Sequence, residues 1–143
     1  LFAHEVPLAL KEFHRVLNEE GIAFIRCPDL YTIAKFIVDR KVVEPMYVSP
    51  AGPVTPLDSL YGMRSLLKDN SFMAHRMGFT AELLTGELKK AGFKNAHCVR
   101  SVSAVELFCI ASVKDLTSDK LLELLNLHLK SRMREGDSIR TET

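Results

Sequence analysis

The chain has little that would tie it to a charged partner or a membrane. Nineteen Lys and Arg stand against eighteen Asp and Glu, a formal net charge of +1, so neither nucleic acid nor an anionic membrane surface is expected as a partner. Uninterrupted apolar runs such as Ala104-Val105 and Leu107 to Ala111, the longest, fall far short of the roughly 20 residues that cross a bilayer. No secretory signal pattern is present at the first residues, so a cytoplasmic location is expected. Cysteine is scarce: Cys27, Cys98 and Cys109 are an odd count with no CxxC pair, which predicts reduced core thiols rather than a disulfide framework. His4, His14, His97 and His128 have no Cys or carboxylate at metal-ligand spacing, so no metal is assigned. Internal repeats and low-complexity tracts are absent. So is an initiator Met, and with Leu1 in its place the expectation is a chain that begins inside a longer protein.

What is present is ordinary globular composition. At 143 residues, 47% hydrophobic and 26% charged, the chain can bury one real core. Val6, Ala9, Leu10, Phe13, Val16 and Leu17 recur at helical spacing, predicting a helix over about 5–19, with Pro7 tolerated in its first turn and Gly21 ending it through a left-handed cap. Ile22 to Cys27 is short, nearly all apolar and bounded by Gly21 and Pro28, which predicts a strand covered on both faces in a parallel sheet. Leu30, Ile33, Ala34, Phe36, Ile37 and Val38 predict a second helix to about Arg40.

Pro45, Pro50, Pro53, Pro56 and Gly52 then break regular structure and mark a long surface excursion. Leu57 to Lys68 predicts a short helix weakened by Gly62. Thr80 is a suitable N-cap for a helix that Gly92 stops. Ala96 to Val102 and Ala104 to Val113 predict two strands too close in sequence for a crossover, hence antiparallel. After Thr117-Ser118-Asp119, a leucine-rich helix runs to about Met133, and the polar segment 134–143 is expected to fray.

Three local patterns resemble class I S-adenosylmethionine-dependent methyltransferases: Glu12 with Arg15-Val16-Leu17, then Cys27-Pro28-Asp29-Leu30, then Leu88 with Ala91-Gly92-Phe93. The insertion stretches Pro53 to Gly62 and Met73 to Thr80 resemble a subgroup of small predicted methyltransferases. The resemblance covers roughly residues 5–113 and implies only the C-terminal half of that fold. The expected class is α/β: a partial doubly wound, Rossmann-like sheet with one parallel strand, a C-terminal antiparallel strand pair that sets a reversed strand beside it, and flanking helices. On this reading residues 1–116 form the methyltransferase-like part, with an insertion at about 41–79, and 117–143 form a C-terminal helix and polar tail. Asn18-Glu19-Glu20-Gly21 departs from the family's usual Lys-Pro-Gly-Gly turn.

The resemblance implies S-adenosylmethionine as cofactor of the complete protein and an unknown, small-molecule methyl acceptor. No G-x-G-like turn follows any predicted strand, so the chain alone is expected neither to bind the cofactor nor to be active. The alternative is a non-catalytic, truncated relative serving as a dimerisation or interaction module, and on either reading a homodimer is expected. Ligands of doubly wound sheets lie beyond the carboxyl ends of the strands, which singles out Asp29, placed either to hold a substrate amine or hydroxyl or to cap the following helix. His75, in a Met-flanked loop, is the candidate proton acceptor, or else a histidine packed on that loop. Arg76 is the candidate partner for an anionic substrate group. Asp58 and Tyr61 are candidate substrate contacts on the same excursion, or a turn acid and a half-buried tyrosine.

Overall fold

The computed structural model describes residues 1–101, 105–130 and 139–140. The described chain is mixed α/β, with helices α1 (Val6–Val16), α2 (Leu30–Val38), α3 (Pro56–Tyr61), α4 (Ala81–Ala91) and α5 (Ser118–Lys130). Its strands are β1 (Ile22–Pro28), β2 (Tyr47–Ser49), β3 (Gly52–Val54), β4 (Asn95–Ser101), β5 (Glu106–Ser112) and β6 (Ile139–Arg140). The main sheet has the order β1-β5-β4-β6, and β2 and β3 form a separate hairpin. Every strand pair is antiparallel.

That pairing corrects the expected environment of β1. It has no parallel strand neighbour among the described residues; it lies at a sheet edge and joins β5, the reversed strand expected beside it, in the register Ile22↔Ser112 to Pro28↔Glu106. The parallel contact found among the described residues is an isolated bridge, Asp29 to Phe79. Phe24 and Arg26 are exposed, and the Phe24 ring stacks on His128 of α5 with centroids 4.0 Å apart. The antiparallel pairing of β4 with β5, from Asn95↔Ser112 to Ser101↔Glu106, agrees with expectation. The strand ends anticipated at Val102 and Ala104 lie outside the described residues, as do Met133 and most of the segment 134–143.

Helices cover both faces of the sheet. On one face Val6 and Leu10 of α1 meet Leu84 and Leu88 of α4, with Phe93, Cys109 and Ala111 beneath them. On the other face Leu121, Leu125 and Leu129 of α5 pack on Val99 and Ile110. All of these side chains are nearly or fully buried, and each large aliphatic one contributes about 1.5–3 kcal/mol by leaving water.

Helix ends follow local chemistry. Thr80 accepts from the Leu83 amide, and Gly92 ends α4 at φ 115°, as the sequence predicts. Gly21 has a different task from the expected left-handed cap. Helix α1 stops at Val16 with Leu17 already extended, and the Gly21 amide closes a turn on the Asn18 carbonyl at 2.8 Å. A Cβ at Gly21 would lie 2.6 Å from Leu17 Cβ, so the glycine is needed for space, not for handedness. Helix α2 ends at Val38, short of the expected Arg40, which sits at φ 61°.

A candidate acceptor cleft at the end of strand β1

The excursion after α2 folds back over the C-terminal end of β1. Its first part is the β2–β3 hairpin, turned at Pro50-Ala51, where the Ser49 hydroxyl donates to the Gly52 carbonyl at 3.0 Å. Next comes α3, shorter than the expected 57–68 helix. Thr55 and Asp58 form a reciprocal capping box with Pro56 in the first turn, a strong start signal. Gly62 stops the helix at φ 94°. There the returning chain passes so close that a Cβ on Gly62 would lie 2.0 Å from the Met73 carbonyl oxygen. This backbone crossing lays residues 73–75 along α3, and the His75 amide then donates to the Tyr61 carbonyl at 3.2 Å.

Between these pieces and β1 lies a cleft of about 500 Å³. Cys27 and Pro28 of β1 and Glu106 of β5 lie on one side, Tyr47 and Val54 of the hairpin on another, and Asp58, Ser59, Met63, Met73 and His75 close it. A smaller cavity of about 50 Å³ adjoins, bounded by Pro28, Ile33, Met77 and His75. The His75 ring borders both spaces. Its Nδ1 lies 2.8 Å from the Ser59 carbonyl oxygen. A carbonyl only accepts, so Nδ1 carries the proton, and in the neutral ring Nε2 keeps its lone pair.

The ionised groups on the cleft wall are matched. Arg26 Nε donates to Glu106 at 2.6 Å, and the guanidinium lies over the Phe108 ring at 5.6 Å. Asp58 receives Arg64 Nε at 2.8 Å and the Thr55 hydroxyl at 2.6 Å. Burial alone would raise the Asp58 pKa, but the bonds from Arg64 and Thr55 prevail and hold the carboxyl well below its usual range. The Tyr47 phenol is pushed up, first by burial and then by the Glu106 carboxylate, and stays neutral at physiological pH. Burial also pushes the Cys27 thiol up to about 12, with Cys98, Asp29 and Glu106 adding to it.

Of the five side chains singled out from the sequence, His75 and Asp58 line the cleft. The other three are placed elsewhere. Asp29 is fully buried and caps α2, accepting from the Tyr31 amide at 3.2 Å and the Thr32 hydroxyl at 2.6 Å. It also receives Arg100 Nε at 2.9 Å, so both carboxylate oxygens are engaged by the protein. Tyr61 is 59% exposed and contributes its carbonyl to seating His75. Arg76 lies over the Phe2 ring at 5.1 Å, away from the cleft wall. Tyr47, Ser59 and Glu106 escaped the sequence reading. Each comes from a different segment, and only the folded hairpin and the β1–β5 pairing bring them together.

No family model, curated protein or solved structure matches the chain.

Proposed function

We propose that the cleft is the acceptor-binding site of a methyltransferase-like domain, in which His75 Nε2 takes the proton from the acceptor's hydroxyl or amine. The observation that carries this reading is the seating of His75: its ring borders the cleft at the carboxyl end of β1, and the Ser59 carbonyl fixes the tautomer that leaves Nε2 free to accept. The three sequence patterns described above lend support, as does the reversed strand β5 beside β1. On this reading the sheet is the C-terminal part of a doubly wound, Rossmann-like methyltransferase fold.

The described residues do not fit S-adenosylmethionine by themselves. None of their six glycines lies in a strand-to-helix turn: Gly21 precedes a strand, Gly52 turns a hairpin, Gly62 and Gly92 end helices, Gly78 packs on Leu30 and Gly86 lies within α4. A methyl donor has to be held by other polypeptide. What this chain's residues do is bind the acceptor against Tyr47, Ser59 and the methionines and receive its proton at His75.

The test is transfer of labelled methyl from S-adenosylmethionine to small molecules by the full-length protein. His75→Ala is expected to lower turnover about 100-fold with the circular dichroism spectrum unchanged. Undiminished turnover removes His75 from the reaction, and absence of any transfer by the unaltered protein overturns the enzymatic reading.

One observation favours a second reading, a non-catalytic module that assembles through β1. Backbone bonds from Val113 to Gly21 and from Asp29 to Val105 set the alternation that turns Ala23, Ile25 and Cys27 toward β5. The amides and carbonyls of Ile22 and Phe24 then face outward along an edge, and natural proteins cover such edges. A two-fold homodimer is the expected cover. Light scattering at high micromolar concentration is expected to give twice the chain mass, and a monomer there refutes the dimer.

A further inference from the structure

We propose that the cleft takes a neutral, hydroxyl-bearing aromatic molecule, a phenol, in preference to cationic or anionic analogues, because every ionised side chain on its wall is already matched within the protein. The inference rests on the reading of the cleft as an acceptor site and deepens it.

Three ionised side chains border the space: Arg26, Glu106 and Asp58. The first two are joined at 2.6 Å, and the third is joined to Arg64 at 2.8 Å, with the Asp58 side chain only 10% exposed. A charged ligand would shed water without gaining an uncompensated counter-charge, and that loss is not recovered. Arg76, the side chain that the sequence offered to an anion, is turned toward Phe2.

What remains on the wall holds no fixed charge. The Tyr47 phenol, the Ser49 and Ser59 hydroxyls and the His75 imidazole are hydrogen-bonding groups set among Val54, Leu66, Met63 and Met73. Thioethers make favourable contacts with aromatic ring edges and adapt to ring shape. A volume of about 500 Å³ suits a small organic ligand rather than a peptide or polymer. A ligand with one hydroxyl to meet His75 and an aromatic body to meet the methionines satisfies both halves of this wall.

The experiment compares 4-ethylphenol, tyramine and 4-hydroxyphenylacetate, which share a phenol ring and differ in a neutral, cationic or anionic tail. Binding to the 143-residue chain is read from the methyl signals of Met63 and Met73 by NMR, with no methyl donor present. The neutral phenol is expected to shift both signals saturably and to bind at least tenfold more tightly than either ion. Its affinity is expected to stay constant between low and high salt, since no net charge is paired.

Arg64→Met leaves the Asp58 carboxylate without its partner and is expected to raise tyramine affinity at least fivefold relative to 4-ethylphenol. If that variant does not fold, the salt series on the unaltered chain decides alone. Equal or tighter binding of either ion, a strong salt dependence for 4-ethylphenol, or no shift with any of the three overturns the proposal. A phenol that binds in this order yet is never methylated by the full-length protein supports the ligand class while removing the methyl-transfer reading, so the two fail separately.

Discussion

Replacing Asp29 by Asn tests whether this residue holds the fold or waits for a substrate. Asn caps helices about as well as Asp, so the bond to the Tyr31 amide survives and only the charge is lost. Arg100, whose side chain is 13% exposed, then loses its buried counter-charge. Breaking a fully buried pair costs about 3–5 kcal/mol. Here the guanidinium can lean toward Glu82, 4.0 Å away and largely exposed, and keeps the Tyr31 ring at 4.7 Å, which moves the expectation down to about 2–3 kcal/mol. Asp29→Ala removes the cap as well and is expected to cost about 1 kcal/mol more. In urea, with a slope of about 1–3 kcal/mol per molar, the Asn variant should move the unfolding midpoint down by about 1–2 M. Adding Arg100→Met should recover at least half of that loss, because an uncharged pair is cheaper to bury than a lone ion. The assay is equilibrium urea unfolding followed by circular dichroism. A midpoint for Asp29→Asn indistinguishable from that of the unaltered chain, or no recovery in the double variant, refutes the structural role and returns Asp29 to the list of ligand contacts.

Four further outcomes are expected. Because the Cys27 thiol is pushed from its ordinary 9.0 to about 12, alkylation at pH 8 should run about a thousandfold slower than for an exposed thiol, and labelling at the exposed rate contradicts the burial. The same shift makes stability full below about pH 9 and lost progressively as pH rises toward 12, since the unfolded thiol ionises first, at about 1.4 kcal/mol per pH unit; Cys27→Val should flatten that alkaline slope. Gly62→Ala meets both a positive φ and the Met73 carbonyl, so it should destabilise the chain by more than about 1 kcal/mol and shift the His75 ring signals, and unchanged signals sever the link between that crossing and the cleft. Ser112 Oγ is buried without a hydrogen-bond partner, so Ser112→Ala should be neutral or stabilising by up to about 1 kcal/mol in thermal unfolding.

Features set by neighbours in sequence were legible beforehand. The Thr80 cap, the Gly92 stop and the apolar faces of α1 and α4 all follow from residues within a turn or two. The β4–β5 pairing followed from the short span between the strands. Two misreadings share one cause. Spacing points to a left-handed cap at Gly21 because it shows that a glycine is needed but not whether handedness or room requires it. The apolar run of β1 points to a parallel-sheet strand covered on both faces because it outweighs Arg26, the one residue in it that marks a wet face. The cleft was half legible. His75 stood out as a polar ring in a Met-flanked loop, and Asp58 as an acid near prolines. Tyr47 and Glu106 carry no local mark, since their importance arises from a hairpin and a strand pairing that join positions as far apart as residues 26 and 106.

The order β1-β5-β4 places the last of the three long strands in the middle. A ribosome releasing this chain from its N-terminus delivers β1 first and β4 some seventy residues later, and neither finds a neighbour in this sheet until β5 emerges. Up to that moment the nascent chain can form its helices and the small hairpin, which are local, but not the three-strand sheet, whose closure spans long loops and is slow for that reason. Strand β1 thus waits without its sheet neighbour for some eighty residues of synthesis, an interval in which aggregation competes with folding. The innermost strand acts as a keystone laid last, and a chain stopped short of Ser112 should be a client for chaperones rather than a smaller version of the same domain.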